Sequence, residues 1–363
     1  MRVIIIGGGP AGSACGIGLA RRGLDVTIVE GRAFPRVKVC GEFVSPAATG
    51  VLESLVSPGE LLEAGARRVR ELVVESGERE AAWRMPQAAW VMSRRGLDEL
   101  LLNVARSAGV RVVQPGVVRG VEYRAEGVAC TVGSDERDAV IEAEVVVHAD
   151  GSGRHDPAGA TPMRAGVVGR KCHLRVPHGG VIGLRMRACA GAYVGLVQVE
   201  GGRATCALVA RHDVVARHGG DGDAMLAALW PGYDASWREG EWLSCGVAGS
   251  GYIRPSHARS FRIGNAAAAV EPVGGEGIGL ALWSGATLGW WLGGDDLTGL
   301  LARFARAYRA RLRVRRPACR LAAAVLMRPG VVRGLWPLVG ARITREPLIG
   351  AWYAMSGKPA RGV

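Results

Sequence analysis

Apolar runs and their periods divide the chain into recognisable pieces. Residues 2–6, RVIII, are a continuous apolar run closed by glycines, which predicts a short buried strand. GPAGSACGIGLARRG then reads as a helix ending at Gly23, and DVTIVE as a second buried strand. A polar loop, GRAFPRVKVCGEFVSP, follows, and residues 51–93 have mixed periods and end in AAWVMS. SRRGLDELLLNVARSAG carries Leu97, Leu101 and Val104 on one helical face, with Gly109 beyond its end. VRVVQPGVVRGVEY, GVACTV and AEVVVHADG read as successive strands. From about 165 to 255, alternating runs such as VIGLRMRACAGAYVGLVQV and RATCALVAR predict a second sheet. SFRIGN is one more short strand, feeding GNAAAAVEPVGGEGIGLAL and a helix, GLALWSGATLGWWLGG. From about 300 onward the pattern is helical and basic.

Composition narrows the class. Of 363 residues, 48% are hydrophobic and 22% charged, which is a globular chain with a sizeable core. The first apolar run is too short and glycine-rich for a signal peptide, and no apolar stretch reaches the length of a membrane span. Eight cysteines are scattered singly, without CxxC or Cys/His ligand spacing. They read as reduced, mostly core residues of a cytoplasmic protein that holds no metal.

The net charge of +13 sits at one end. From Leu301 onward there are 13 arginines and one lysine against Glu346 alone, while the first 300 residues balance at 32 and 32. Such a tail suggests an anionic partner, either a membrane surface to which the protein would be peripheral or an acidic carrier protein. No recognition module favours nucleic acid, and a solvated arginine face is the plainer reading. Only Lys38, Lys171 and Lys358 are lysines, which reads as a compositional bias rather than a site.

The strongest local chemical signal is Gly7-Gly8-Gly9-Pro10-Ala11-Gly12. It follows a strand, opens a helix and contains GxGxxG, so the backbone can approach a pyrophosphate seated on the helix N-terminus. Glu30 ends the next strand at the spacing where a carboxylate accepts from a ribose diol. The second glycine-rich stretch raises a different question. Gly274 to Gly279 would present bare amides from a helix N-terminus, whose positive end can stabilise developing negative charge. Close helix–sheet packing would demand the same glycines.

In order, the GxGxxG turn, HADGSGR after a strand, and RIGNAAAAVEPVGGEGIGLAL resemble the FAD-dependent family of the p-hydroxybenzoate hydroxylase fold. That family includes aromatic hydroxylases, flavin halogenases and geranylgeranyl reductases. PRVKVCGEFVSP and GEGI are closest to the geranylgeranyl reductase branch. The resemblance covers roughly residues 1–300. It implies an α/β fold with a discontinuous Rossmann-like FAD-binding domain, a β-rich substrate domain and a C-terminal helical tail. The FAD-binding domain would comprise 1–50, 94–160 and 257–300, the substrate domain 51–93 and 161–256, and the basic helical segment 301–363.

The resemblance also implies roles. Gly7, Gly9 and Gly12 would cradle the FAD pyrophosphate. Glu30, with Arg32 beside it, would hold the adenosine ribose. Arg94 would reach the cofactor, and Asp150-Gly151 would lie near the pyrophosphate. Asn265 stands where the family has an aspartate on the ribityl chain, while Gly277 and Ile278 would face the flavin. Cys40 would sit beside flavin or substrate, and Glu276 could serve as a general acid, as readily as it could be a dipole-favoured carboxylate. Halogenation fits poorly, because the family's tryptophan-x-tryptophan-x-isoleucine-proline motif is missing and no lysine lies between Lys38 and Lys171. With no second GxGxxG, NAD(P)H would bind transiently or another donor would act.

The expectation is an FAD-dependent oxidoreductase acting on a hydrophobic isoprenoid, polyketide or lipid-like substrate. Reduction of a carbon–carbon double bond, or its reverse, is favoured over hydroxylation through a C4a-hydroperoxyflavin. A non-catalytic flavin-binding protein comes third. Ten tryptophans suit an apolar cavity or a packed core. LAAAVLM and VVRGLWPLVG in the tail could lie on a membrane or close that cavity.

Overall fold

The computed structural model describes residues 1–133, 138–152, 162–177, 181–249, 251–294, 296–340, 347–348 and 350–351. The end of HADGSGR and the last residues of the basic tail lie outside them. The first half contains β1 (Arg2–Ile6), α1 (Pro10–Ala20), β2 (Asp25–Val29), β3 (Phe43–Val44), α2 (Pro46–Leu55), α3 (Pro58–Glu63), β4 (Arg67–Ser76), β5 (Arg79–Val91), α4 (Arg94–Ser107), β6 (Arg111–Val113), β7 (Val117–Tyr123), β8 (Val128–Gly133), β9 (Asp138–Ala143) and β10 (Val145–His148). The second contains β11 (Met163–Leu174), β12 (Leu184–Cys189), β13 (Ala192–Gln198), β14 (Ala204–Arg211), α5 (His212–Arg217), α6 (Gly222–Leu229), β15 (Arg238–Ala248), β16 (Ser260–Arg262), α7 (Glu276–Trp291), α8 (Leu297–Leu326), α9 (Pro329–Gly334) and α10 (Trp336–Gly340).

Five parallel strands form one sheet, in the order β16-β10-β1-β2-β6. Strands covered on both faces read as unbroken apolar runs, and RVIII is such a run. Val3 and Ile5 face a core shared with α1, α4 and α7. Ile4 and Ile6 face the three-stranded antiparallel sheet β7-β8-β9, through Val118, Val128 and Cys130. VRVVQPGVVRGVEY is thus cut at Pro115: β6 completes the parallel sheet and β7 starts the small one.

The second sheet has eight strands, β15-β11-β14-β13-β12-β4-β5-β3, antiparallel except for β12 beside β4. It reaches further back than 165, because β3, β4 and β5 belong to it. One face packs Val194, Leu196 and Leu208 against Val214 of α5 and Met225 and Leu226 of α6. The opposite face, with Met85, Val91, Met186 and Val209, meets Phe43, Val273 and the far end of α8.

α8 has 30 residues, about 45 Å at 1.5 Å per residue. Its first half buries Phe304, Tyr308 and Leu312 in the core of the parallel sheet. Its second half buries Cys319 and Ala323 against the eight-stranded sheet. One helix therefore straps both cores together.

Candidate functional site

The glycine turn is built by contact distances. Gly7 sits at φ 107°, and a Cβ there would lie 2.6 Å from the Ala149 carbonyl oxygen. A Cβ on Gly12 would stand 1.9 Å from the Gly7 oxygen. Gly9 differs: the nearest atoms to a Cβ would be the guanidinium ends of Arg36 and Arg94, at 3.8 and 3.9 Å. Gly9 is also the N-cap of α1, and no side chain caps that helix. The amides of its first turn, with the positive end of the helix dipole, are left for an anion.

Charged side chains frame this opening. Glu30 is buried and accepts from the Gly8 amide at 2.8 Å and the Arg32 amide at 3.0 Å. Arg32 itself is exposed on the rim, where its carbonyl accepts from Gln114. Arg94 is buried and forms a two-pronged pair with Asp98, both bonds 2.6 Å. Arg36 lies 3.6 Å from Asp98 and 3.9 Å from Glu30. Asp150 lies against Gly7, and its Oδ2 is buried without a hydrogen-bond partner among the described residues. A helix start with no cap, a glycine faced only by guanidinium ends and an orphaned carboxylate oxygen together fit the pyrophosphate and ribose of FAD.

The second glycine stretch divides into two tasks. Gly264, at φ 58°, would place a Cβ 2.9 Å from that of Ala11, so the half-buried Asn265 follows directly after a contact with the first turn of α1. The Gly264 amide donates to Ser284 and its carbonyl accepts from Tyr308. Gly274 and Gly275 both have positive φ and turn the chain into α7. Around Gly277 a Cβ would meet nothing within 4 Å, and as the second residue of α7 its amide has no partner within the helix. Gly279 packs on Ala48 and Ser45, while Gly285 and Gly289 let α7 close onto the backbone of α1 at Ala11 and Cys15. The stretch is open at Gly277 and a packing seam beyond it. Ile278 is buried beside the open position. Glu276 is buried as well, and its carboxylate lies 3.5 Å from Arg315 of α8.

The loop before β3 carries Glu42, part of the CGE motif, and the residues that sequence reasoning missed reach it from β11 and β14. Glu42 is buried at φ 56°, the one described non-glycine residue with positive φ. Its carboxylate accepts from the Arg94 amide at 2.7 Å, from Lys171 and from Thr205, and lies 2.9 Å from His173 Nε2. Burial alone would raise the pKa of Glu42, but His173 and Lys171 hold it down at about 2. The Glu42 amide in turn donates to Cys40 Sγ at 3.4 Å, and the Arg94 guanidinium reaches the same thiol. One buried carboxylate thus ties the Cys40 loop, the start of α4 and strands β11 and β14.

Reading the lysines as a compositional bias is corrected here for Lys38 and Lys171, while Lys358 lies outside the described residues. Lys171 enters this cluster, and its Nζ also lies 3.5 Å from the Lys38 carbonyl oxygen. The Lys38 ammonium lies beside Gly151, 3.4 Å from where a Cβ would stand. Although much of the side chain is exposed, burial of its end and the nearby charges of Arg94 and Arg36 bring Lys38 down to about 8. Lysine brings a compact ammonium here rather than a guanidinium fork. In an arginine-rich chain, that rarity was the available signal.

Residues 1–157 match the family model described as FAD binding domain. The menaquinone reductase of Mycolicibacterium smegmatis is 27% identical over 319 residues, covering 78% of this chain and 74% of the relative. That of Mycobacterium tuberculosis is 32% identical over 114 residues, 31% of this chain and 28% of the relative. Among solved structures, the flavin-dependent brominase Bmp2 superposes with a TM-score of 0.77 at 18% identity, covering 99% of this chain and 94% of that one. A geranylgeranyl bacteriochlorophyll reductase-like protein from Thermoplasma acidophilum gives a TM-score of 0.79 at 17% identity, covering 98% and 97%. At such identities the two structures show the fold. The chain is an FAD-dependent enzyme with the p-hydroxybenzoate hydroxylase fold.

Proposed function

We propose that this enzyme reduces a carbon–carbon double bond in a hydrophobic, isoprenoid-like substrate, with electrons brought by NAD(P)H or another donor. The observation that carries the reading is the placement of Cys40. Glu42 locks its loop from below, Arg94 links it to the cofactor cradle, and Phe43, three residues on, joins the apolar face of the eight-stranded sheet. A thiol fixed between a phosphate cradle and an apolar wall suits a substrate that is greasy and needs one proton. The name of the Mycolicibacterium relative supports a quinone with an isoprenoid tail as the substrate class.

Bound FAD supplies hydride-transfer chemistry. The protein's own groups do the rest. Cys40 delivers the proton to the second carbon of the double bond, and the Glu42 amide and Arg94 stabilise the thiolate left behind. Phe43, Met85, Val91 and Met186 keep water from the bond being reduced. Glu276, paired with Arg315, fixes the start of α7 against α8. The test is the product formed from an isoprenoid quinone under reducing, oxygen-free conditions. A product with two added hydrogens is expected, and Cys40→Ser should slow its formation by on the order of 100-fold with FAD still bound. A product that appears only with oxygen and carries one oxygen atom would instead assign the site to hydroxylation.

A further inference from the structure

The helices after residue 296 carry more positive charge than the acidic groups of the described residues answer. Between Leu297 and Gly340 there are ten arginines and no aspartate or glutamate. Three are used internally: Arg315 pairs with Glu276, Arg311 lies 4.5 Å over the ring of Trp283, and Arg303 lies 3.9 Å over the ring of Trp291. Arg306, Arg309, Arg313, Arg316 and Arg320 follow one another at intervals of three and four, which places them on one stripe of α8 roughly a quarter turn wide. All are exposed except Arg316, which is half-buried. Like charges at these intervals repel. The partners they find are the Gly249 carbonyl, which accepts from Arg316 at 3.0 Å and Arg320 at 3.2 Å, and the Tyr252 ring, 5.8 Å from Arg309. A groove of about 880 Å³ runs beside the stripe, walled by Tyr252, Leu312 and Pro317.

The same outward face is greasy. Val314 and Leu321 stand beside the arginines, 44% and 66% exposed. Val331 of α9, Leu335 at its end and Leu338 of α10 are also exposed. Free phosphate would answer the guanidinium groups and leave the leucines in water. A neutral apolar partner would do the reverse. An anionic bilayer answers both, because headgroup phosphates pair with arginine forks while apolar side chains enter the boundary of the acyl region. No described helix is long and apolar enough to cross a membrane, so the contact is one of lying on the surface.

We propose that the outward face of α8 to α10 docks on an anionic lipid bilayer. The inner side of the same helix, at Cys319 and Ala323, covers the apolar face of the eight-stranded sheet. The element that meets the lipid is therefore also the roof over the greasy wall. Docking requires no turnover, so it stands or falls apart from the proposed reaction.

The experiment is co-sedimentation of the FAD-loaded full chain with vesicles of phosphatidylcholine alone or mixed with phosphatidylglycerol. Binding to the mixed vesicles is expected at low ionic strength, weakening as salt rises. The triple change Arg306→Gln, Arg313→Gln, Arg320→Gln should weaken it by on the order of 100-fold, at about fivefold per arginine. Leu335→Ser with Leu338→Ser should weaken it several-fold and leave the salt dependence in place. Retained FAD absorbance confirms folding of each variant. Equal binding to both vesicle types, or none at low salt, overturns the proposal. Tighter retention on polyglutamate than on vesicles, with no effect of the leucine changes, also overturns it and points to an acidic protein.

Discussion

At the start of α1 the candidate cofactor site is made of backbone. Gly7, Gly9 and Gly12 lie within six residues, and what matters about them is what they lack: a Cβ at Gly12 would stand 1.9 Å from a carbonyl oxygen. Beneath Cys40 the same site is made of side chains. Glu42 draws on Arg94, Lys171, His173 and Thr205, residues 52 to 163 positions away in the chain. The first construction fails by steric intrusion and the second by leaving a charge buried and unpaired. Two parts of one site should therefore respond to substitution in different currencies, the cradle in cofactor affinity and the hub in stability.

The largest effect belongs to the cradle. Gly12→Ala should reduce FAD affinity by more than about 100-fold, because the methyl group displaces the Gly7 carbonyl and with it the first turn of α1. Gly9→Ala is the sharper comparison. Its methyl group has room beside Arg36 and Arg94 in the free protein, so the melting temperature without FAD should hold while affinity falls by about tenfold or more. Fluorescence titration with FAD and thermal unfolding of the FAD-free protein measure the two. A Gly9→Ala protein that binds FAD normally would mean the cofactor does not approach this backbone.

The hub comes next. Glu42→Gln keeps the shape and leaves Lys171 without its counter-charge, which should cost about 3–5 kcal/mol in urea unfolding while FAD still binds at low temperature. The acid limb checks the same group. Its folded pKa of about 2 lies below the usual 4.5, so the stabilisation is complete above pH 4.5 and lost as pH falls toward 2. The loss is on the order of 3 kcal/mol, and Glu42→Gln should flatten that limb. An unchanged acid limb in the variant would remove Glu42 from the centre of this cluster.

The contrast also explains what could be read from the chain. The cradle was legible because its residues are contiguous and their spacing is itself the chemistry. The parallel sheet was legible from runs such as RVIII, whose lack of alternation reports burial on both faces. The hub was visible only as the CGE of the resembled motif, since nothing local at Lys171 or Thr205 says that a strand will deliver it to Glu42. The glycines of α7 were only half legible. Gly277, with open space around it, and Gly285, closed on α1, look alike in sequence, and only the neighbouring helix separates them. The strap role of α8 was hidden because its buried face changes from aromatic, at Phe304 and Tyr308, to small, at Cys319 and Ala323, as it passes from one core to the other.

A smaller effect tests where cradle and hub touch. Lys38 has a pKa near 8 in the free protein, lowered by burial of its end and by Arg94 and Arg36. A bound pyrophosphate would raise that pKa, so the complex holds the proton more firmly than the free protein does. FAD affinity should then be level below about pH 7 and fall above pH 8, by at most about tenfold per pH unit. Lys38→Met should abolish this slope and cost no more than about tenfold at neutral pH. A slope that survives in the variant belongs to another group.

The smallest effect is expected at Asn265, where the resembled family has an aspartate. Asn265 lies in the short turn Gly264–Ala266, whose backbone is held on both sides, by Ser284 at the Gly264 amide and Tyr308 at its carbonyl. Changing the side chain leaves those bonds intact, so the position of the residue should not move. Asparagine keeps a carbonyl oxygen that can accept from a ribityl hydroxyl, as a carboxylate would. Asn265→Asp should therefore raise FAD affinity by less than about tenfold, the difference between a neutral and a charged acceptor at a half-buried position. A gain beyond a hundredfold would show that this end of the cradle depends on a side chain after all, and the division between a backbone-made cradle and a side-chain-made hub would no longer hold at α7.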